Sequence, residues 1–183
     1  MSIIEIIAAV FGAVGVWLAV KQHIWNWWVS LVSVIIYVYI FAKALLYADA
    51  GVEVIYILLT FYGVSNWKNG TDNTTLKVSK TPTLQLLTYG VLIIFSTVGI
   101  AQVLTLLGSS MLWLDALTAS MSLVATYMMA RKQLEHWLIW IVADGIYIYI
   151  YVQKDLLPTA LLSVLFVLMA VKGYLDWRKE FSK

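Results

Sequence analysis

The chain repeats itself at a spacing of 110 residues, and both copies are strings of apolar stretches. Glu5 corresponds to Asp115, Trp17 to Tyr127, Lys21 to Arg131, Trp27 to Trp137, Tyr37 to Tyr147, Tyr39 to Tyr149, Gly63 to Gly173 and Trp67 to Trp177. Lys43-Ala-Leu-Leu also resembles Lys154-Asp-Leu-Leu, one residue further along. Internal repeats of hydrophobic helices mark secondary transporters, whose substrate site lies between the repeats near the bilayer midplane.

Seven apolar stretches approach the roughly 20 residues that a membrane helix needs. They run over Ile3–Val20, Trp25–Leu46, Ala50–Trp67, Leu84–Leu107, Met111–Ala130, Leu134–Val152 and Thr159–Trp177. The residues are 62% hydrophobic and only 12% charged, whereas soluble domains are about half apolar and a quarter charged. Nine Trp and eleven Tyr suit the membrane–water boundary. With no cysteine, disulfides and cysteine metal sites are excluded, and a net charge of +2 is too small to suggest nucleic acid. The N-terminus does not read as a signal peptide, because Glu5 and no basic residue precedes or enters its apolar run.

Lys21, Lys68, Lys77, Lys80, Arg131, Lys132, Lys172, Arg178, Lys179 and Lys183 fall on one side of this pattern, and only Lys43 and Lys154 on the other. The positive-inside rule then places the N-terminus outside and the C-terminus in the cytoplasm of a multi-pass membrane protein. Asn-Gly-Thr and Asn-Thr-Thr in the long connection from Lys68 to Thr83 look like glycosylation acceptors, and on a cytoplasmic loop they are chance matches. The expected fold is all-α, with seven transmembrane helices in a 3+1+3 arrangement. A first three-helix repeat (3–67) leads through a loop and linker helix (68–110) to a second repeat (111–178). One linker helix returns the chain to its starting side, so the repeats are parallel and related by an axis along the membrane normal.

Ionisable groups at membrane depth are costly and mark pathways or sites. Asp144 stands near mid-bilayer in the sixth stretch. Trp137, Trp140, Asp144, Tyr147 and Tyr151 recur at three- and four-residue steps and so share a helix face. A carboxylate flanked by indoles and phenols suits an aromatic cation, although Trp137 and Tyr151 serve equally as interfacial anchors. Glu53, Tyr56, Thr60, Gly63 and Trp67 share a face of the third stretch, with Glu53 close enough to its end to reach outer water. Ser30, Ser33 and Tyr37 do so in the second, and Asp115, Thr118, Ser122 and Thr126 in the fifth. Small hydroxyl residues also serve close helix packing. Glu5 and Asp115 stand near the outer surface, as cation-attracting groups or plain end charges. No P-loop, dinucleotide fingerprint or nucleophile elbow is present, and no cofactor or metal is expected. His23 and His136 lie near cytoplasmic ends without metal-ligand spacing and read as interfacial.

These residues resemble the Pnu family of bacterial vitamin transporters over nearly the whole chain. The resemblance is carried by the Asp115 helix running through Ala-Arg131-Lys132 to Trp137-Leu-Ile-Trp140, by Tyr62-Gly63 with Trp67, and by Gly173-Tyr174 with Trp177. It implies a fold similar in outline to full-length SWEET sugar transporters. It also implies facilitated diffusion made directional by a cytoplasmic kinase that phosphorylates the vitamin without required contact. In the family's nicotinamide riboside pattern an Asn stands at Asp144, a Gln at Glu53, and Asn at Ser33 and Thr60. Two carboxylates in place of amides suit a substrate richer in donors and positive charge. Thiamine, a permanent cation with an aminopyrimidine, is therefore the first expectation and nicotinamide riboside the second. The expected site comprises Trp137, Trp140, Asp144, Tyr147, Glu53, Tyr56, Thr60, Ser33, Tyr37 and Ser122. Homo-oligomerisation is compatible with the sequence. A channel or structural membrane protein would use the same apolar helices without needing acids at central depth, and a membrane enzyme would need clustered catalytic groups.

Overall fold

The computed structural model describes residues 3–43, 47–69, 76–105 and 112–181. They form seven helices: α1 (Ile3–Val20), α2 (Trp25–Lys43), α3 (Tyr47–Asn69), α4 (Thr83–Thr105), α5 (Leu112–Ala130), α6 (His136–Gln153) and α7 (Leu157–Phe181). The Asn-Thr-Thr sequence and the Gly-Thr of Asn-Gly-Thr lie outside the described residues. By length and composition α1, α2, α4, α5 and α7 can each cross a membrane. The other two, α3 and α6, hold the acids Glu53 and Asp144 within their length. Each is flanked by two other helices, which is how such residues are kept from lipid.

The packing is symmetric in the way the repeat demands. Helix α1 packs on α2 and α2 on α3; α5 packs on α6 and α6 on α7. Between these groups α3 packs on α5, and α7 on α1. Exchanging α1, α2, α3 for α5, α6, α7 turns the first of those contacts into the second. An axis between two like-oriented repeats produces that pattern, with α4 set outside against α5. The fold is thus all-α with a 3+1+3 arrangement.

Local chemistry repeats too. After α1 and α5 the backbone turns through a left-handed residue, Gln22 (φ 53°) and Lys132 (φ 50°). In both turns the amide three residues past the helix reaches back: His23 N donates to Leu18 O at 2.9 Å, and Gln133 N to Met128 O at 3.0 Å. This is the Schellman arrangement, which satisfies carbonyls left open at a helix end. It also makes α6 begin at His136 rather than Leu134. Asn26 Nδ2 donates to His23 O at 2.8 Å, and its counterpart His136 donates from Nδ1 to Gln133 O at 2.7 Å. His136 is not interfacial as the sequence suggested. It is fully buried, 4.4 Å from the Trp137 ring and 4.9 Å from that of Trp177.

The largest buried side chains form a girdle where the repeats meet at the basic end. Trp27 meets Trp67 edge-on at 5.6 Å, and Trp137 meets Trp177 edge-on at 5.6 Å. The Trp67–Trp177 contact at 6.1 Å joins the halves. Trp67 Nε1 donates to Met129 O at 3.1 Å, while Trp177 Nε1 donates to Ala19 O and Val20 O, both at 3.2 Å. Each repeat thus anchors an indole on the other's first helix. Gly63 and Gly173 admit the rings: a Cβ there would lie 2.3 Å from Trp27 and 2.6 Å from Trp137.

The turns above this girdle are tied together. Lys132 Nζ donates to Gln22 Oε1 at 3.1 Å and sits over the Trp67 ring at 4.6 Å. Burial lowers the affinity of this ammonium for its proton, opposed by the Glu180 carboxylate. The strand-like segment before α4 is stitched on as well. Ser79 N donates to Lys132 O at 3.0 Å, Leu134 N to Ser79 O at 2.9 Å, and Thr81 Oγ1 to Glu135 Oε2 at 2.6 Å.

Candidate functional site

Beyond the girdle the helix interior changes from indoles to phenols and acids. On α2, Tyr37 stacks on Phe41 at 5.7 Å; on α6, Tyr147 stacks on Tyr151 at 5.7 Å. The two stacks occupy matching repeat positions, and Tyr151 lies within electrostatic range of Tyr37. The spacing of four residues puts each pair one turn apart on one face. The repeat match of Phe41 with Tyr151 was available in the sequence, but comparison of identical residue types passes over it.

The polar groups converge from α3, α5 and α6. Tyr56 on α3 and Tyr147 on α6 are both within hydrogen-bonding reach of the Ser122 side chain on α5. Tyr147 also reaches Thr118. Glu53, one turn before Tyr56, lies within electrostatic range of both Tyr37 and Tyr56, and Asp144 within range of Tyr56, Tyr147 and Tyr151. Asp144 is the eighth residue after His136, roughly 12 Å along the helix at 1.5 Å per residue, hence near its middle. It is 5% exposed, and no Lys or Arg among the described residues forms an ion pair with it. At the far end Asp115 pairs with Lys154 at 3.5 Å. A buried carboxylate among phenols can hold a flat organic cation, giving charge compensation and ring contact together.

Six expected residues therefore come together: Tyr37, Glu53, Tyr56, Ser122, Asp144 and Tyr147. Four stand apart in differing degrees. Trp137 is 2% exposed and belongs to the girdle, its ring filling the space left by Gly173. Trp140, one turn on, is half-buried and packs against the same cluster. Thr60 is buried, with its hydroxyl donating to Tyr56 O at 2.9 Å within its own helix. Ser33 donates to Ala8 O at 2.8 Å and so ties α2 to α1. Sharing a helix face did not suffice for Trp137, because the face from Trp137 to Tyr151 passes from one layer of the protein into another.

Ser33→Ala is accordingly expected to cost about 0.5–1.5 kcal/mol of stability, the range for a lost hydrogen bond whose acceptor keeps its helical partner. Ligand affinity should change by less than about threefold, since 1.4 kcal/mol is a factor of ten and no direct contact is removed. Thermal unfolding in detergent and a binding titration check both halves. A large affinity loss with unchanged melting would put the hydroxyl in the site.

Comparison with known proteins gives this geometry its setting. Residues 2–179 match the sequence model of the family described as "Nicotinamide mononucleotide transporter". The nicotinamide riboside transporter PnuC of Neisseria mucosa is 28% identical, aligned over 94% of this chain and 71% of its own length. The Escherichia coli K12 protein of the same name is 22% identical, over 97% of this chain and 85% of its own. The crystal structure of the vitamin B3 transporter PnuC superposes with a TM-score of 0.80 at 27% identity, covering 98% of this chain and 82% of that one. The described helices, the pairing of the repeats and a match that spans nearly every residue agree: the chain is a multi-pass membrane protein belonging to the nicotinamide mononucleotide transporter family.

Proposed function

We propose that this protein carries nicotinamide riboside across the bacterial inner membrane by facilitated diffusion, its N-terminus outside and its C-terminus cytoplasmic. The similarity to proteins named nicotinamide riboside transporters over nearly the full chain carries the substrate. That favours the riboside over thiamine, which the acidic residues alone had put first. Asp144 compensates the pyridinium charge, and Tyr37, Tyr56 and Tyr147 supply ring faces and hydroxyls. Glu53 and Ser122 accept from the ribose. Trp140 closes the inner end of the chamber, with Trp137, Thr60 and Ser33 supporting it from behind. The repeats 3–67 and 111–178 move against each other around this site, and the Trp67–Trp177 contact separates to release the vitamin inward. A cytoplasmic kinase then traps it without touching the carrier.

One observation keeps thiamine as a second reading: two carboxylates, Asp144 and Glu53, flank the same tyrosine cluster. An aminopyrimidine amine and a thiazolium would use both acids more fully than a ribose diol does. Titration of purified protein with both vitamins tests the choice, and tight binding of thiamine with no binding of the riboside would reverse it.

The transport mode has its own test. No ATP-binding motif occurs in the sequence, and substrate equilibration needs none. With the membrane potential clamped at zero, vesicles containing this protein alone should bring labelled vitamin to equal concentrations on both sides, at the same end point with or without an imposed proton or sodium gradient. Accumulation above equality would show coupling.

A further inference from the structure

A cavity lies where α4 covers the contact of α3 with α5. Its volume is about 350 Å³, and Ile55, Leu59, Leu92, Leu123, Val124 and Tyr127 supply most of its wall. Two serines also line it, but Ser96 donates to Leu92 O at 2.6 Å and Ser120 to Ala116 O at 2.8 Å. With those donors satisfied inside their own helices, the wall is hydrocarbon in character and offers a polar vitamin nothing. Ile55 and Leu92 are 43% and 50% exposed, so the crevice opens sideways where the bilayer must lie.

Its basic end is different. Tyr127 stacks on Tyr62 at 5.5 Å and meets Tyr89 edge-on at 6.2 Å. Arg131 lies one turn beyond, its carbon Cζ 5.8 Å from the Tyr127 ring and Nη1 3.4 Å from the hydroxyl. Tyr62 and Tyr89 are within its electrostatic range. Among the described residues no acid forms an ion pair with this guanidinium, whose remaining donors suit a phosphate. From Ser120 to Tyr127 the apolar wall runs seven residues, roughly 10 Å along α5.

We infer that this crevice is a binding site for an anionic phospholipid, its acyl chain lying along α3, α4 and α5 and its phosphate held by Arg131. Charge complementarity selects the occupant: an apolar slot open to lipid, capped by a guanidinium that pairs with no acid among the described residues, fits an amphiphile with a negative head. The inference goes beyond the transport reading and does not depend on which vitamin is carried. Because α4 has no counterpart in the repeat, the site has no symmetric twin.

Native mass spectrometry of the delipidated full chain, offered phosphatidylglycerol or phosphatidylethanolamine, tests it. Phosphatidylglycerol should bind five- to tenfold more tightly than phosphatidylethanolamine, and glycerol phosphate should fail to displace it. Arg131→Gln should erase that preference while leaving weak binding of both lipids. Leu92→Trp, placed on the exposed rim, should weaken both lipids at unchanged melting temperature. Equal binding of the two lipids by the native chain, or a preference that survives Arg131→Gln, would overturn the inference. So would an oligomer in which a second copy excludes lipid from the crevice.

Discussion

Gly173→Ala is expected to destabilise the protein by at least about 1–3 kcal/mol, the usual cost of forcing an added carbon into a packed core. The new Cβ would lie 2.6–2.8 Å from three atoms of the Trp137 ring. That ring cannot move aside, because His136 and Trp177 hold it at 4.4 and 5.6 Å. Gly63→Ala should behave alike, its Cβ falling 2.3 Å from Trp27. The two changes should not add simply, since Trp67 and Trp177 touch each other and both clusters relax through that contact. Trp137→Phe in the Gly173→Ala background should recover part of the loss by giving the methyl room. Thermal midpoints of the detergent-solubilised proteins check this, and a Gly173→Ala protein as stable as the native one would refute the close-packed girdle.

That girdle explains why so much of the fold was legible in the sequence. Trp27 with Trp137, Gly63 with Gly173 and Trp67 with Trp177 are each half of a contact made twice, so the repeat preserved all three pairs. Lys21 over Trp17, at 5.2 Å, likewise matches Arg131 over Tyr127. Tyr39 and Tyr149, 51% and 54% exposed, both face outward. Contacts made only once left no such trace. The joining of Lys132 to Gln22 pairs two residues of unlike type at matching positions, and the stitching of Ser79 and Thr81 to the α5–α6 turn has no counterpart in the first repeat.

The site was legible to a different degree. Asp144 announced itself because a carboxylate at mid-helix among apolar residues has few other uses. Tyr147, Tyr56 and Ser122 followed from helical spacing, and the structure draws them together. Trp137 and Ser33 show the limit of spacing. Periodicity gives the direction of a side chain around the helix, but what it meets depends on a neighbouring helix. A glycine at 173 turned one into packing, and a carbonyl at Ala8 gave the other a tie to α1.

Asp144→Ala is expected to weaken substrate binding at least tenfold, because a cation in a poorly solvated chamber loses its nearest compensating charge. The change also removes a buried acid without leaving an unsatisfied partner, so folding should be retained. The more informative experiment replaces both acids by their amides. Glu53→Gln with Asp144→Asn keeps size and shape, adds donors, and removes two charges from the neighbourhood of Tyr56. A ribose diol can exchange hydrogen bonds with an amide as well as with a carboxylate. An aminopyrimidine beside a thiazolium needs acceptors and negative charge. Specificity is a difference of two affinities, so the ratio of riboside to thiamine affinity should rise tenfold or more in the double mutant, whichever vitamin the native protein prefers. Calorimetric titration of the native, single and double variants with both ligands gives that ratio directly. If it stays constant while each variant remains folded, Asp144 and Glu53 do not face the bound vitamin, and the tyrosine cluster between them is packing rather than a site.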